Sequence, residues 1–197
     1  MLISPYIKDS ESSWLAITNR LVQEFPISSS NLILIVETAW NDFYGSRIGA
    51  AELIIGQDLF LPAQATGVIL ERLISFHLSN KFPNWRGGNR KIEKDIVCNY
   101  NDLFSFEIKT SSSKTGLFGN RSTGHRSKSR TKYRSGYYLV VNYKLPTEDD
   151  MSKHIWKIRF GWIDDEDWVG QKEPTGQQAS IGVELAKLKL VTLKENI

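Results

Sequence analysis

Cysteine and histidine are scarce in this sequence, and their scarcity excludes several kinds of site. Cys98 is the only cysteine, so no internal disulfide can form, and its neighbours Ile96 and Val97 favour a buried apolar role over a nucleophilic one. The three histidines are isolated from one another, and no CxxC, HExxH or paired-histidine spacing is present. The sequence therefore predicts no zinc site.

Long apolar runs and phosphate-cradling loops are also missing. The richest apolar stretch ends at Glu37, well short of the ~18 residues that a membrane-spanning helix needs. The first residues lack the basic start and the apolar segment of a signal peptide, and the chain has no GxxxxGK[ST] loop. We therefore expect a cytoplasmic protein with no membrane contact and no nucleotide cofactor.

The size and composition of the chain are those of an ordinary globular protein. It has 197 residues, of which 41% are hydrophobic and 24% are charged. This length is enough for one domain with a real core and is not comfortably enough for two. We predict a single domain over residues 1–197.

Apolar periodicity predicts helices in the first half of the chain. One amphipathic stripe runs from Trp14 to Phe25 and is closed by Pro26. A second helix is predicted to begin with Ser30 or Asn31 as its N-cap. A third is predicted over about 63–78, directly after Pro62. The expected buried face of this third helix consists of Ala65, Ile69, Leu73 and Phe76.

The second half of the chain indicates β-structure after a turn cluster at 83–88. Strands are predicted at 94–98 and 104–110, joined by a hairpin turn at 99–102. The apolar run 136–143 is typical of a central strand buried on both faces, and 155–162 alternates as an amphipathic strand with Lys157 and Arg159 on its polar side. The expected fold is α/β (α+β), with N-terminal helices packed on a central mixed β-sheet.

The triplet Glu107-Ile108-Lys109 on the predicted strand 104–110 points to metal-dependent chemistry. The two-residue period of a strand places Phe104, Phe106 and Ile108 on one face and projects Glu107 and Lys109 from the other. Asp95 lies on the preceding strand of the predicted hairpin and can bring a second carboxylate. Two carboxylates beside an ammonium suit Mg²⁺-dependent phosphodiester hydrolysis, whereas the alternative is a surface salt bridge on an amphipathic strand.

A basic segment at 110–135 follows this triplet. The net charge of the chain is only +3, yet no Asp or Glu occurs between Lys109 and Lys144. The cations inside the segment are Lys114, Arg121, Arg126, Lys128, Arg130, Lys132 and Arg134. Such a segment indicates either a loop or flap that contacts DNA or a solvated loop with no partner.

Longer strings carry a resemblance to a known family. Lys94-Asp95 followed by Glu107-x-Lys109 resembles the PD-(D/E)xK nuclease motif, with Lys94 in place of the motif's proline. The strings that resemble the ScaI family of type II restriction endonucleases are SRIG at 46–49, IGQDLF at 55–60, EIKTSS at 107–112, FGNRS at 118–122, SGYYL at 135–139, RFGW at 159–162, WVGQ at 168–171 and TGQQA at 175–179.

The resemblance implies a homodimer that cuts both strands of double-stranded DNA at a short palindromic site with Mg²⁺. By position in the motif, Asp95 and Glu107 would bind the metal and Lys109 would orient or help to deprotonate the attacking water. Many nucleases of this superfamily also place a helical glutamate near the site. Glu71 is the candidate, with an exposed helix glutamate as the alternative interpretation and Glu52 and Glu37 as weaker competitors.

Recognition of the DNA sequence is expected to use amide and guanidinium side chains. Asn120, Arg121 and Ser122 lie in a glycine-containing loop, and such groups read adenine and guanine by paired hydrogen bonds in the major groove. Gln177 and Gln178 offer a second amide pair, unless they form a plain turn. The competing functions are a structure-specific nuclease of the resolvase or repair type and a DNA-binding module without catalysis; an RNA-binding protein ranks last.

Overall fold

The computed structural model describes residues 3–120, 134–171 and 178–196. Its first half is helical, as the periodicity predicts. The helices are α1 (Glu11–Gln23), α2 (Ser29–Gly45) and α3 (Ala63–Lys81), and α4 (Val183–Lys189) follows near the C-terminus. A two-stranded hairpin, β1 (Arg47–Ile48) with β2 (Leu53–Ile54), separates α2 from α3.

Helix α2 begins earlier than the sequence analysis predicts. Its N-cap is Ser28, whose hydroxyl accepts a hydrogen bond from the backbone N–H of Asn31 at 3.4 Å. The prediction of Ser30 or Asn31 as N-cap was wrong because three serines precede Asn31 and each could cap a helix. The side chain of Asn31 also donates to the Ser28 hydroxyl, which fixes the first turn.

The predicted buried face of α3 was wrong by one position. The helix buries Thr66, Leu70, Ile74 and Leu78, whereas Phe76 is 60% exposed. A shift of one residue rotates a helix face by about 100°. The stripe that packs against α2 and the sheet is therefore the one next to the predicted stripe. In this orientation Gly67 and the following turn of the helix face the sheet.

The central sheet has six strands, and its order was not predicted in detail. From one edge to the other the order is β11 (Leu190–Glu195), β8 (His154–Ile163), β7 (Gly136–Lys144), β5 (Phe106–Ser111), β4 (Ile96–Cys98) and β3 (Trp85–Gly87). Only β5 and β7 pair in parallel, so the sheet is mixed, as expected. Strand β3 falls inside the predicted turn cluster.

The antiparallel pairing of β4 with β5 confirms the predicted hairpin, but its connection is longer than the predicted turn. A single residue pair, Ile96 with Phe106, joins the two strands, and a 3₁₀ turn at Asp102–Phe104 lies between them. Ser105 closes this connection because its hydroxyl accepts from the Cys98 backbone N–H and donates to Asp102.

Strand β7 is buried on both faces, as its apolar run predicts. Tyr137, Leu139 and Val141 pack with the helices α1 to α3 on one face, while Tyr138 and Val140 pack with α4 and a smaller sheet on the other. That smaller sheet consists of β6 (Phe118–Asn120), β10 (Gln178–Ser180) and β9 (Val169–Gly170), in this order. Among the described residues, no helix is long and apolar enough to cross a membrane.

Candidate active site

Strand β5 carries the predicted acid-x-Lys triplet with the predicted facing. Phe106 and Ile108 are fully buried in the core that lies under the helices, and Glu107 and Lys109 alternate with them on the opposite face. Glu107 is 5% exposed, whereas the side chain of Lys109 keeps 25% of its surface in solvent. The strand therefore presents a nearly buried carboxylate next to an accessible ammonium.

Asp95 joins this pair from the residue before β4. One of its carboxylate oxygens accepts a hydrogen bond from the Ile108 backbone N–H at 2.8 Å, which fixes Asp95 to the middle of β5. The Lys109 ammonium lies 3.9 Å from the same Asp95 oxygen and 3.7 Å from a Glu107 oxygen. The structure thus brings together Asp95, Glu107 and Lys109, the three residues that carry the resemblance to the PD-(D/E)xK motif.

The oxygens around the Lys109 ammonium form a donor set that fits a hard divalent cation. Lys109 also donates a hydrogen bond to the Ile108 carbonyl at 3.0 Å, so two carboxylates and one carbonyl surround a single positive charge. Within the described parts of the chain, no group of three or more His, Cys, Asp and Glu side chains is placed to hold a metal, so an ion here would have two carboxylates as its side-chain ligands. Mg²⁺ suits such a site because it commonly binds through one or two carboxylates and fills its remaining positions with water and substrate oxygens.

Glu71 reaches the same place from α3. One turn before it, Gly67 packs so tightly on β5 that a Cβ would lie 2.5 Å from the Thr110 hydroxyl oxygen, and one turn after it, Ser75 contacts Gly87 of β3. Residues four apart lie on one face of a helix, so Glu71 faces the sheet between these two contacts.

The charges of the predicted site residues influence the Glu71 carboxyl. The pKa of its carboxyl is raised from 4.5 to about 7; burial is the largest cause, the charges of Asp95 and Glu107 act in the same direction, and Lys109 opposes them. Glu71 and Asp95 also line one open cleft of about 570 Å³. Perturbed carboxyls of this kind cluster at catalytic sites.

Lys94, which replaces the motif's proline, is buried rather than exposed. Its ammonium donates to the Ser135 carbonyl at 3.0 Å and lies 5.7 Å from the centre of the Tyr138 ring. The Tyr138 hydroxyl donates to the Arg134 carbonyl at 2.7 Å. The residue next to Asp95 therefore contacts the point at which the basic segment enters β7.

A pair of buried polar side chains on β7 and β8 was not anticipated from sequence. Asn142 donates to the carbonyls of Ser113 and Gly116, both at 2.8 Å, and accepts from Arg159, which also donates to the Thr115 carbonyl. The alternation of β8 predicts Arg159 on a polar face, but the residue is only 6% exposed. The signal that could have revealed the pair is Asn142, a polar residue inside an apolar strand.

The structure describes four of the residues predicted to contact DNA. Lys114 is exposed, with its ammonium 4.9 Å from the centre of the Trp156 ring, and Arg134 lies two residues before Gly136, the first residue of β7. Asn120 and Gln178 are exposed and directly opposite each other in the β6–β10 pair. The others lie outside the described residues: Arg121, Ser122, Arg126, Lys128, Arg130, Lys132 and Gln177.

The register of β6 and β10 gives Asn120 and Gln178 a common surface. Residues directly opposite in an antiparallel pair project from the same face, so their two amides are neighbours. The alternate position, Ala179, is fully buried. Two amides that are far apart in sequence thus project together from the solvent face of the small sheet.

Comparisons with known proteins bear on what this site belongs to. The family described as ScaI restriction endonuclease matches residues 4–194. The type II restriction enzyme ScaI of Streptomyces caespitosus is 35% identical over 192 residues, which cover 96% of this chain and 84% of that enzyme. A solved structure of the restriction endonuclease BglI bound to its DNA recognition sequence aligns with 92% of this chain and 88% of its own, at 10% identity and a TM-score of 0.39. On the two sequence matches, which span nearly the whole chain, the protein belongs to the ScaI family of type II restriction endonucleases.

Proposed function

We propose that this protein is a Mg²⁺-dependent endonuclease of the PD-(D/E)xK type, a single nuclease domain over residues 1–197 that hydrolyses phosphodiester bonds in double-stranded DNA at a short palindromic site. One observation carries the proposal: the Asp95 and Glu107 carboxylates and the Ile108 carbonyl converge on the Lys109 ammonium in the middle of β5. Membership of the ScaI family supplies the substrate class.

Asp95 and Glu107 would hold Mg²⁺, with the Ile108 carbonyl as a further oxygen. The Ile108 N–H bond to Asp95 fixes one carboxylate, and burial restricts the other, so both donors are oriented before the metal arrives. When bound, Mg²⁺ supplies positive charge at the attacked phosphate and acidifies nearby water.

Lys109 and Glu71 would act on the water and the phosphate. The Lys109 ammonium, which is partly exposed, can hydrogen-bond the attacking water and stabilise the negative charge that develops on the phosphate oxygens. The water oxygen forms a bond to phosphorus and gives its proton to the Glu71 carboxylate, while the P–O bond to the leaving sugar oxygen breaks and that oxygen takes a proton from solvent water. A pKa of about 7 suits Glu71 to this exchange near neutral pH.

DNA recognition is proposed to use a surface separate from the carboxylates. The neighbouring amides of Asn120 and Gln178 are suited to base edges, and Lys114 and Arg134 to phosphates. The same roles are proposed for residues outside the described ranges: base contact for Arg121, Ser122 and Gln177, and phosphate contact for Arg126, Lys128, Arg130 and Lys132. A homodimer is proposed because a twofold-symmetric protein matches a palindromic site.

The test is digestion of a long mixed-sequence DNA with and without Mg²⁺. The wild type should give discrete bands that require Mg²⁺, and Glu107→Ala should give none. The matched control is Glu184→Ala, which removes a glutamate that is 83% exposed on α4, and it should cut as the wild type does.

Three other results would contradict the proposal. A smear or cleavage only at branched DNA would favour a structure-specific nuclease. DNA binding without cleavage by the wild type would favour a non-catalytic binding module. Cleavage retained by Glu107→Ala would refute the assignment of the metal site. Size measurement of the complex with a mapped site then tests the homodimer.

A further inference from the structure

The cleft that contains Glu71 and Asp95 has a second wall that no sequence motif marked. This wall is the connection between β3 and β4, which we call the 88–94 loop. Its tip, Asn89, Arg90 and Lys91, is exposed and lines the cleft. Helix α3 also lines the cleft and contributes the exposed Arg72. Cations from two different elements therefore line the cleft together with the two carboxyls.

The 88–94 loop is held in one conformation by Glu93. The Glu93 carboxylate accepts hydrogen bonds from the backbone N–H groups of Asn89 and Arg90 at 3.0 and 3.2 Å. Arg86 on β3 donates two further bonds to it, at 2.7 and 3.1 Å. These bonds, those from Arg86 above all, lower the pKa of Glu93 to about 2, so the carboxylate that accepts them is ionised near neutral pH.

Gly88 allows the ends of the loop to meet. Its N–H donates to the Asp95 carbonyl at 2.9 Å, and a Cβ at this position would collide with the Lys94 carbonyl oxygen. The base of the loop is thus bonded to the same residue that is proposed to hold the metal. The position of the loop tip relative to Asp95 is fixed by the backbone.

The charge of the loop is directed outwards. Glu93 is neutralised by Arg86, whereas Arg90 and Lys91 have no acidic partner among the described residues. The two solvated cations would attract a polyanion. Because hydrogen bonds already hold the loop that carries them, binding costs little conformational freedom.

We propose that Arg90 and Lys91 bind backbone phosphates of the DNA strand that is being cut, next to the cleaved bond, with Arg72 as a further cation of the same cleft. This assignment rests on the proposed function and adds to it a phosphate-binding edge outside the basic segment 110–135. The contacts carry no base specificity; they place the strand against Asp95 and Glu107.

The first experiment measures the salt dependence of DNA binding. All proteins carry Glu107→Gln to prevent cleavage, and the probe is a duplex that contains the site mapped by digestion. Arg90→Ala should weaken binding about tenfold and lower the slope of log K against log salt by about 0.9. Arg90→Lys should restore most of the slope, because it keeps the charge.

The matched control removes an arginine from the far side of the molecule. Arg20 is exposed on α1, which packs against β8, β11 and α4 at the opposite edge of the sheet from β3. Arg20→Ala should leave both the affinity and the slope unchanged. The parent protein is the one that carries Glu107→Gln alone. If Arg90→Ala in this background has the same thermal unfolding midpoint as the parent, the substitution has not disturbed the fold.

The second experiment locates the contact on the DNA. Single phosphates are replaced in turn by uncharged methylphosphonates, in combination with the parent protein and with Arg90→Ala. At the phosphate that Arg90 contacts, the losses of binding affinity caused by the methylphosphonate and by Arg90→Ala should be non-additive. This phosphate should lie next to the cleaved bond.

The outcomes separate this inference from the proposed function. An unchanged slope in Arg90→Ala, or non-additivity only at a phosphate far from the cut, overturns the inference while leaving the nuclease intact. A wild type that cuts no DNA overturns the proposed function itself. A reduced slope with non-additivity beside the cut supports both.

Discussion

The raised pKa of Glu71 makes a direct prediction about stability and pH. The folded-state pKa is about 7 against an ordinary value of 4.5, because the side chain is buried and stands near Asp95 and Glu107. Each pKa unit corresponds to 1.36 kcal/mol, so ionised Glu71 costs the folded protein about 3 kcal/mol. Glu71→Gln removes this cost and keeps the shape of the side chain.

The sign of the effect follows from proton binding. Below about pH 4.5 both the folded and the unfolded chain carry the proton, and Glu71 costs nothing. Between about pH 4.5 and about pH 7 the folded state holds more protons than the unfolded state, so the free energy of unfolding falls as the pH rises. Above that window both states are ionised and the full cost remains.

The assay is urea unfolding with EDTA at a series of pH values across this window and one unit beyond it. The stability of Glu71→Gln minus that of the wild type should rise with pH by about 3 kcal/mol and then stay constant. Groups with lowered pKa, such as Glu93, titrate in both proteins and cancel in the difference. Glu184→Gln on the surface of α4 is the control and should show a flat difference.

Parallel curves for the wild type and Glu71→Gln would refute the argument, because they would mean that Glu71 is an ordinary solvated carboxyl. Mg²⁺ provides a second check. If the ion binds at Asp95 and Glu107, its charge should lower the pKa of Glu71 and flatten the pH dependence of the wild type, with no such change in Glu107→Gln.

Two other substitutions test the supports of the site. Gly67→Ala should push α3 away from β5, because the added carbon meets the Thr110 hydroxyl, which is also bonded to Tyr143. Single-turnover cleavage should therefore slow by about tenfold or more. Val68→Ala, at an exposed position, is the control, and adding Thr110→Ala to Gly67→Ala should restore the cleavage rate. Failure of that rescue would contradict the steric explanation. Asn142→Ala should lower the free energy of unfolding by about 3 kcal/mol in urea, because it leaves the buried carbonyls and Arg159 unsatisfied; a loss below about 1 kcal/mol would show that water replaces these bonds.

The helix ends and faces show how far local patterns reach. The periodicity of the first helix identified its core residues, since Ile17 and Val22 in α1 and Phe25 just after it are buried. The same method chose the wrong face of α3, because an apolar residue such as Phe76 satisfies the periodicity whether or not a partner covers it. The choice between adjacent stripes depends on what packs against the helix, which periodicity does not contain.

The sequence by itself determined the chemistry carried by β5. A strand must alternate its side chains, so Glu107 and Lys109 had to share a face over an apolar floor wherever the strand was placed. The family resemblance, carried by strings along most of the chain, was confirmed by the sequence comparisons. The shared face of Glu107 and Lys109 and the family resemblance both depend only on the order of residues along the chain.

The tertiary structure decided which distant residues meet this strand. The Ile108 N–H bond fixes Asp95, the close approach of α3 at Gly67 brings Glu71 into the cleft, and the β6–β10 register sets Asn120 opposite Gln178. These contacts join residues far apart in sequence and depend on strand order, helix rotation and register. They are set by the packing of the whole core, and no local spacing encodes them.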